Sequence, residues 1–232
     1  LVGSEMCIRD RYQVNPEDGY RAAKLCNTAV PFTDMAHSPA LDVTLATYGY
    51  YLLVVDPEAE GGYLGAWNLS NMFNAIAGIT YAGHDSTYSY FYLLASSGSL
   101  YMIGVKPSGT VYELSLLKIL STDSKYAISG QHMNQSLYYD GNTGWIYWAR
   151  YDGESSSSLV AIHEETGEVV ARGTFADDAW PVVGLYSAEP AQDQNRTGDF
   201  LWNPAMQVAQ TDIAFELSLI HISEPTRRVV IS

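Results

Sequence analysis

The segment Trp145-Ile146-Tyr147-Trp148 carries a large side chain at every position. Successive residues of a strand point to opposite faces, so a strand built from this segment is apolar on both sides and needs cover on both. The runs YYLLVV at residues 50–55 and YFYLLA at residues 90–95 share this character. All three are short, rich in aromatic and branched residues, and read as strands. Turn residues separate them: Asp56-Pro57, Gly61-Gly62, Pro107-Ser108-Gly109, Asp140-Gly141-Asn142-Thr143-Gly144 and Glu164-Glu165-Thr166-Gly167. Helical periodicity is confined to residues 20–29 and 111–120, and the second reads better as a strand with its following loop. With so few helices, the cover must come from other sheets. The expected fold is all-β: a partial β-propeller of about three four-stranded antiparallel blades. A β-sandwich is the alternative.

Composition supports a packed core. Of 232 residues, 47% are hydrophobic and 12% aromatic, against 16% charged, which excludes a wholly disordered chain. The net charge of -14 argues against nucleic-acid binding, which needs a basic face. No run approaches the length of a membrane-spanning helix, so no membrane insertion is expected.

The two ends share an unusual relation. Residues 1–11, LVGSEMCIRDR, have a permitted back-translation whose reverse complement encodes LSLIHISEPTR, which is residues 217–227 letter for letter. That oligonucleotide resembles the transposase-end adapter of sequencing libraries. Residues 1–11 are therefore read as translated adapter and residues 217–232 as adapter with readthrough; both are set aside from fold reasoning. The natural segment would then be a fragment open at both ends, in which a signal peptide could not be seen. Cys26 is the one cysteine left inside it, so no disulfide framework is expected.

Four short stretches line up as repeats: Asp34-Met35-Ala36-His37, Gly78-Ile79-Thr80-Tyr81, Ser136-Leu137-Tyr138-Tyr139 and Val183-Gly184-Leu185-Tyr186. From Met35 to Ile79 to Leu137 to Leu185 the steps are 44, 58 and 48 residues, close to one four-stranded blade each. The expected organisation is a propeller-like module over residues 12–188, a polar linker over 189–207, and the start of an Ig-like domain over 208–216.

The third unit carries a resemblance. Tyr138-Tyr139-Asp140, the Asn142-Thr143-Gly144 turn, Trp145-Ile146-Tyr147-Trp148-Ala149, Thr166-Gly167 and Val182-Val183-Gly184-Leu185 resemble the blades of large surface proteins of gut Firmicutes. Phe32-Thr33-Asp34-Met35-Ala36 is similar to the opening of a preceding blade. The resemblance spans about residues 31–186 and implies secretion, display at the cell envelope and neighbouring bacterial Ig-like domains. It supplies no catalytic residues. The second unit departs from the pattern, with Gly83-His84-Asp85-Ser86-Thr87 in place of the Asn-Thr-Gly turn.

Candidate chemistry is sparse. Asp140 and Asn142 alternate as oxygen ligands do in short calcium loops, but a third carboxylate is missing and a hairpin turn is the plainer reading. Ser115 and Lys118 match an S-x-x-K spacing that works on a helix, not on a strand. His163-Glu164-Glu165 lacks the second histidine of a zinc helix. Most of the aromatic side chains are expected to pack between sheets. Those at loop ends, Tyr88 and Tyr151, could stack on a ligand beside His37, His84 and Asp85. The expected function is non-catalytic binding or adhesion at the bacterial cell surface, towards polysaccharide or protein, with no cofactor. A polysaccharide-degrading enzyme with carboxylates and histidines converging in a central channel is the alternative, with Asp34, His37, His84, Asp85 and Asp140 as the residues to converge. A structural spacer is the third reading.

Overall fold

The computed structural model describes residues 10–121, 126–128, 135–151, 157–175, 182, 184, 185, 212, 213, 215 and 216. The expected linker at 189–207 and the C-terminal segment 217–232 lie outside them, as do residues 1–9. Among the described residues no helix is long and apolar enough to cross a membrane.

The fold is all-β. A hairpin of β1 (Asp10–Asn15) and β2 (Arg21–Asn27) comes first. Three antiparallel meanders follow. The first holds β3 (Asp34–Ser38), β4 (Val43–Tyr48), β5 (Tyr51–Val55) and β6 (Tyr63–Asn68). The second holds β7 (Ile76–His84), β8 (Ser89–Ala95), β9 (Leu100–Ser108) and β10 (Val111–Ser121), and the third β11 (Ser136–Asp140), β12 (Trp145–Tyr151), β13 (Ser157–His163) and β14 (Val169–Thr174). Two-residue strands extend the outer edges: β15 (Asp212–Ile213) pairs with β10, and β16 (Phe215–Glu216) with β6.

The helical pattern at residues 20–29 is overridden. The stretch folds as β2, because the Asn15 side chain accepts the Glu17 N–H at 2.9 Å and a tight turn, closed by left-handed Gly19 and Tyr20, returns the chain beside β1. Ten residues with no partner would make a marginal helix, whereas the hairpin gives their backbone groups a ladder. Residues 111–120 form one continuous strand, with register shifts after Leu116 and Ile119.

Both faces of the middle sheet are covered by other sheets, as the apolar strands demand. All seven residues of β8 are buried. Phe91 and Leu93 pack with Leu45, Leu52 and Trp67 of the first sheet. Their neighbours Tyr90, Tyr92 and Leu94 pack with Leu137, Ile146 and Trp148 of the third. Each fully buried side chain of this size contributes roughly 1.5–3 kcal/mol. A smaller cluster, with Val30, Leu53, Tyr63 and Ala66 buried and Phe32 against it, closes the other face of the first sheet.

Gly98, in the turn between β8 and β9, sits at φ +83°, and a Cβ there would lie 2.7 Å from the carbonyl carbon of Tyr126. Gly98→Ala should cost at least about 2 kcal/mol, combining left-handed strain with a backbone clash. Gly109→Ala, at φ +65° with open space around it, should cost the strain alone. Urea denaturation of the two variants checks the order, and equal losses would mean that residues 96–99 do not pack on Tyr126.

Candidate functional site

The first strands of the three sheets lie side by side and run the same way. Asp34 Oδ2 on β3 accepts the Ile79 N–H of β7 at 2.8 Å. Gln135, just before β11, donates its N–H to the Ala77 carbonyl at 3.1 Å. Further along, Ser38 Oγ and Ser89 Oγ meet at 2.7 Å in a buried contact. The C-terminal ends of β3, β7 and β11 therefore place His37, His84 with the loop to Tyr88, and Asp140 at corresponding ends of their sheets.

Each of these groups is engaged locally. His37 is exposed; its Nδ1 lies 3.1 Å from Thr44 Oγ1 and its Nε2 4.0 Å from the Asp42 carboxylate. His84 Nδ1 lies 3.3 Å from Tyr81 Oη. Asp85 Oδ1 accepts the N–H groups of Thr87 at 2.6 Å and Tyr88 at 2.8 Å, and its Oδ2 accepts the Tyr90 hydroxyl. Partial burial works to raise the Asp85 carboxyl, but these three donors and nearby His84 outweigh it and hold it below the ordinary range.

Tyr88 is half-buried, not a free platform. Its ring lies on Gly104, where a Cβ would come within 2.9 Å of it, and Lys106 Nζ stands 5.6 Å from its centroid. Lys106 is held in turn by Glu113 at 2.9 Å. The Ser108 hydroxyl also donates to Glu113, and these two contacts keep its carboxyl below the ordinary range. Tyr151 lies at the far end of the third sheet, where the Gln135 side chain binds its backbone N–H and carbonyl.

The Asp140 carboxylate serves its own turn. Oδ1 accepts the Asn142 N–H at 3.0 Å, and Oδ2 accepts the Thr143 hydroxyl at 2.7 Å. Gly144 follows at φ +71°. Among the described residues no group of three or more His, Cys, Asp or Glu side chains is placed to hold a metal ion.

Sequence reasoning singled out Asp34 and passed over Glu164. Glu164, in the turn after β13, accepts the hydroxyls of Tyr92 at 2.6 Å and Tyr139 at 2.8 Å, and its carbonyl accepts Lys118 Nζ. Desolvation raises its carboxyl, with Tyr92 and Lys118 opposing. Desolvation also pushes the half-buried Asp34 carboxyl up to about 7, despite two N–H donors. The hydrogen bonds of Asp34, His37, His84, Asp85 and Asp140 thus run to different partners: Ile79, Thr44, Tyr81, the Thr87–Tyr88 turn and the Asn142–Thr143 turn. No protein-family model and no curated protein matches the chain.

Proposed function

We propose that the chain is part of a β-propeller displayed at the bacterial cell surface, where it binds a ligand without transforming it. The observation that carries the reading is the separate engagement of the chemistry-bearing side chains. General acid–base work needs two groups within reach of one reacting atom. Here each carboxylate is occupied by a turn or a neighbouring strand, which favours binding over a channel enzyme. The consecutive four-stranded meanders, with first strands adjacent and sheets stacked face to face, support the propeller over a two-layer sandwich. The acidic balance suits a soluble displayed protein and disfavours anionic glycans.

The binding end is the one bearing exposed His37 and the His84-Asp85 turn. The test is a glycan array probed with the whole chain, alongside a His37→Ala/His84→Ala double variant. The expected result is retention on neutral polysaccharide with no new reducing ends. The double variant should bind about tenfold more weakly at an unchanged melting temperature. Release of reducing ends would favour the enzyme, and silence across glycans and host proteins would favour the spacer.

A further inference from the structure

The three sheets stack in order, and the stack has two end faces. One is covered by a single stretch of chain: Val30, fully buried, and Phe32 lie against Leu53, Tyr63 and Ala66 of the first sheet. The other belongs to the third sheet and looks away from the second. Side chains alternate along a strand, so with Leu137, Ile146, Trp148 and Val160 turned towards the second sheet, their neighbours Tyr138, Tyr147, Leu159 and Ala161 turn outward. One cross-strand row runs the width of this face, from Tyr138 through Tyr147 and Ala161 to Val170. Its Tyr138, Tyr147 and Val170 are half-buried.

Two outward hydroxyls already hold chain on this face. Ser157 Oγ of β13 accepts the Val182 N–H at 3.0 Å, and Ser136 Oγ of β11 accepts the Leu185 N–H at 2.9 Å. The chain thus comes in at β13 and reaches β11, the first strand. Its next described anchor is Asp212, paired with Ser115 of β10 at the outer edge of the second sheet. Residues 186–211 must therefore travel from the first strand of the third sheet to the far edge of the second, and the row from Tyr138 to Val170 leads that way. Those 26 residues span about 90 Å when extended, against about 15 Å for the width of four strands, so their length permits the crossing. The segment is mostly polar as far as Asp199 and then turns apolar, with Phe200, Leu201, Trp202, Met206 and Val208. Its polar part carries Glu189, Asp193 and Asp199 against Arg196, and the same face of the third sheet offers exposed Arg172, over the Trp145 ring.

We propose that residues 200–208 dock across the outward face of the third sheet, along the row from Tyr138 to Val170, as Val30 and Phe32 do on the first sheet. Both end faces of the stack are then covered by chain of the same molecule. A contiguous apolar face left bare would favour association with another protein surface, and the docked segment removes that surface. The docking does not depend on the ligand-binding reading.

The test uses the intact chain with photoreactive benzoylphenylalanine in place of Tyr147, irradiated and digested for mass spectrometry. The expected product is a cross-link, within one molecule, to the peptide that contains residues 200–208. A second chain carries Leu201→Ser and Trp202→Ser, and hydroxyl-radical labelling compares it with the parent. Tyr138 and Tyr147 should label several-fold faster in the variant, while Tyr139, buried on the inward face, should not change. If Tyr139 also labels faster, the variant has unfolded and the cross-link decides. Cross-links between two molecules would seat a second copy on the face, and cross-links to another segment, or none, would leave residues 200–208 elsewhere. Either result, or equal labelling of Tyr138 and Tyr147 in parent and variant, overturns the docking.

Discussion

Trp148→Ala is expected to lower the unfolding free energy by about 3–5 kcal/mol, a large part of the 5–15 kcal/mol that holds a domain of this kind together. The indole is fully buried at the seam between the second and third sheets, among Tyr92, Leu94 and Met102 on one side and Ile146, Val160 and Ile162 on the other. Tyr126 meets it edge-on at 6.2 Å. Its Nε1–H donates to Gln135 Oε1 at 2.9 Å, and the same oxygen accepts the Tyr151 N–H at 3.0 Å. Truncation would leave a cavity between two sheets and slacken the side chain that fastens the end of β12. Trp145 is the control. It lies three residues away on the opposite face, half-buried, with its ring 4.9 Å from that of His163 and 4.7 Å from the Arg172 guanidinium. Trp145→Ala should cost about 1 kcal/mol, the scale of a partly exposed aromatic contact. Urea denaturation of both variants makes the comparison. A larger loss at Trp145 than at Trp148 would mean that β12 is turned over by one residue, with the wrong face against the second sheet.

That comparison shows how far a local pattern reaches. Continuous apolar runs announced strands covered on both sides, and the Asp140-to-Gly144 stretch announced its hairpin, because both depend on residues near in sequence. The candidate helix at residues 20–29 failed for the complementary reason. Ala22, Ala23, Leu25 and Cys26 fit a helical stripe, and only pairing with β1 makes them a strand. Tyr88 looked like an exposed platform, yet its seat is Gly104, sixteen residues away and across the sheet. Glu164 beside His163 and Glu165 reads as solvated turn charge. Its partner Tyr92 is 72 residues distant, so no local signal could join them. Asp34 was legible as a polar residue opening a repeat, but its burial depends on the absence of a side chain at Gly78 in the next sheet.

Asp34 also sets the second large effect, on stability as a function of pH. Its folded value of about 7 lies above the ordinary 3.8, so its stabilising contribution is fully present below about pH 4 and is lost as pH rises through 7. At 1.36 kcal/mol per unit the upper bound is about 4 kcal/mol between pH 4 and 8. Glu164 shifts in the same direction and adds to the fall. Asp85 and Glu113 shift the other way, and their stabilisation is lost only as pH drops through their lowered values. The windows separate: below about pH 4 the lowered pair makes acid destabilising, and from pH 5 to 8 the raised pair makes alkali destabilising. Asp34→Asn removes the charge and keeps one carbonyl to accept the Ile79 N–H. The variant should match the parent near pH 4, exceed it by a few kcal/mol at pH 8, and show a much flatter profile between them. Chemical denaturation at half-unit steps reads this directly. A parent whose stability rises from pH 5 to 8, or an Asp34→Asn variant weaker than the parent at pH 8, would mean that the carboxylate stabilises the seam through its two N–H donors more than burial opposes it.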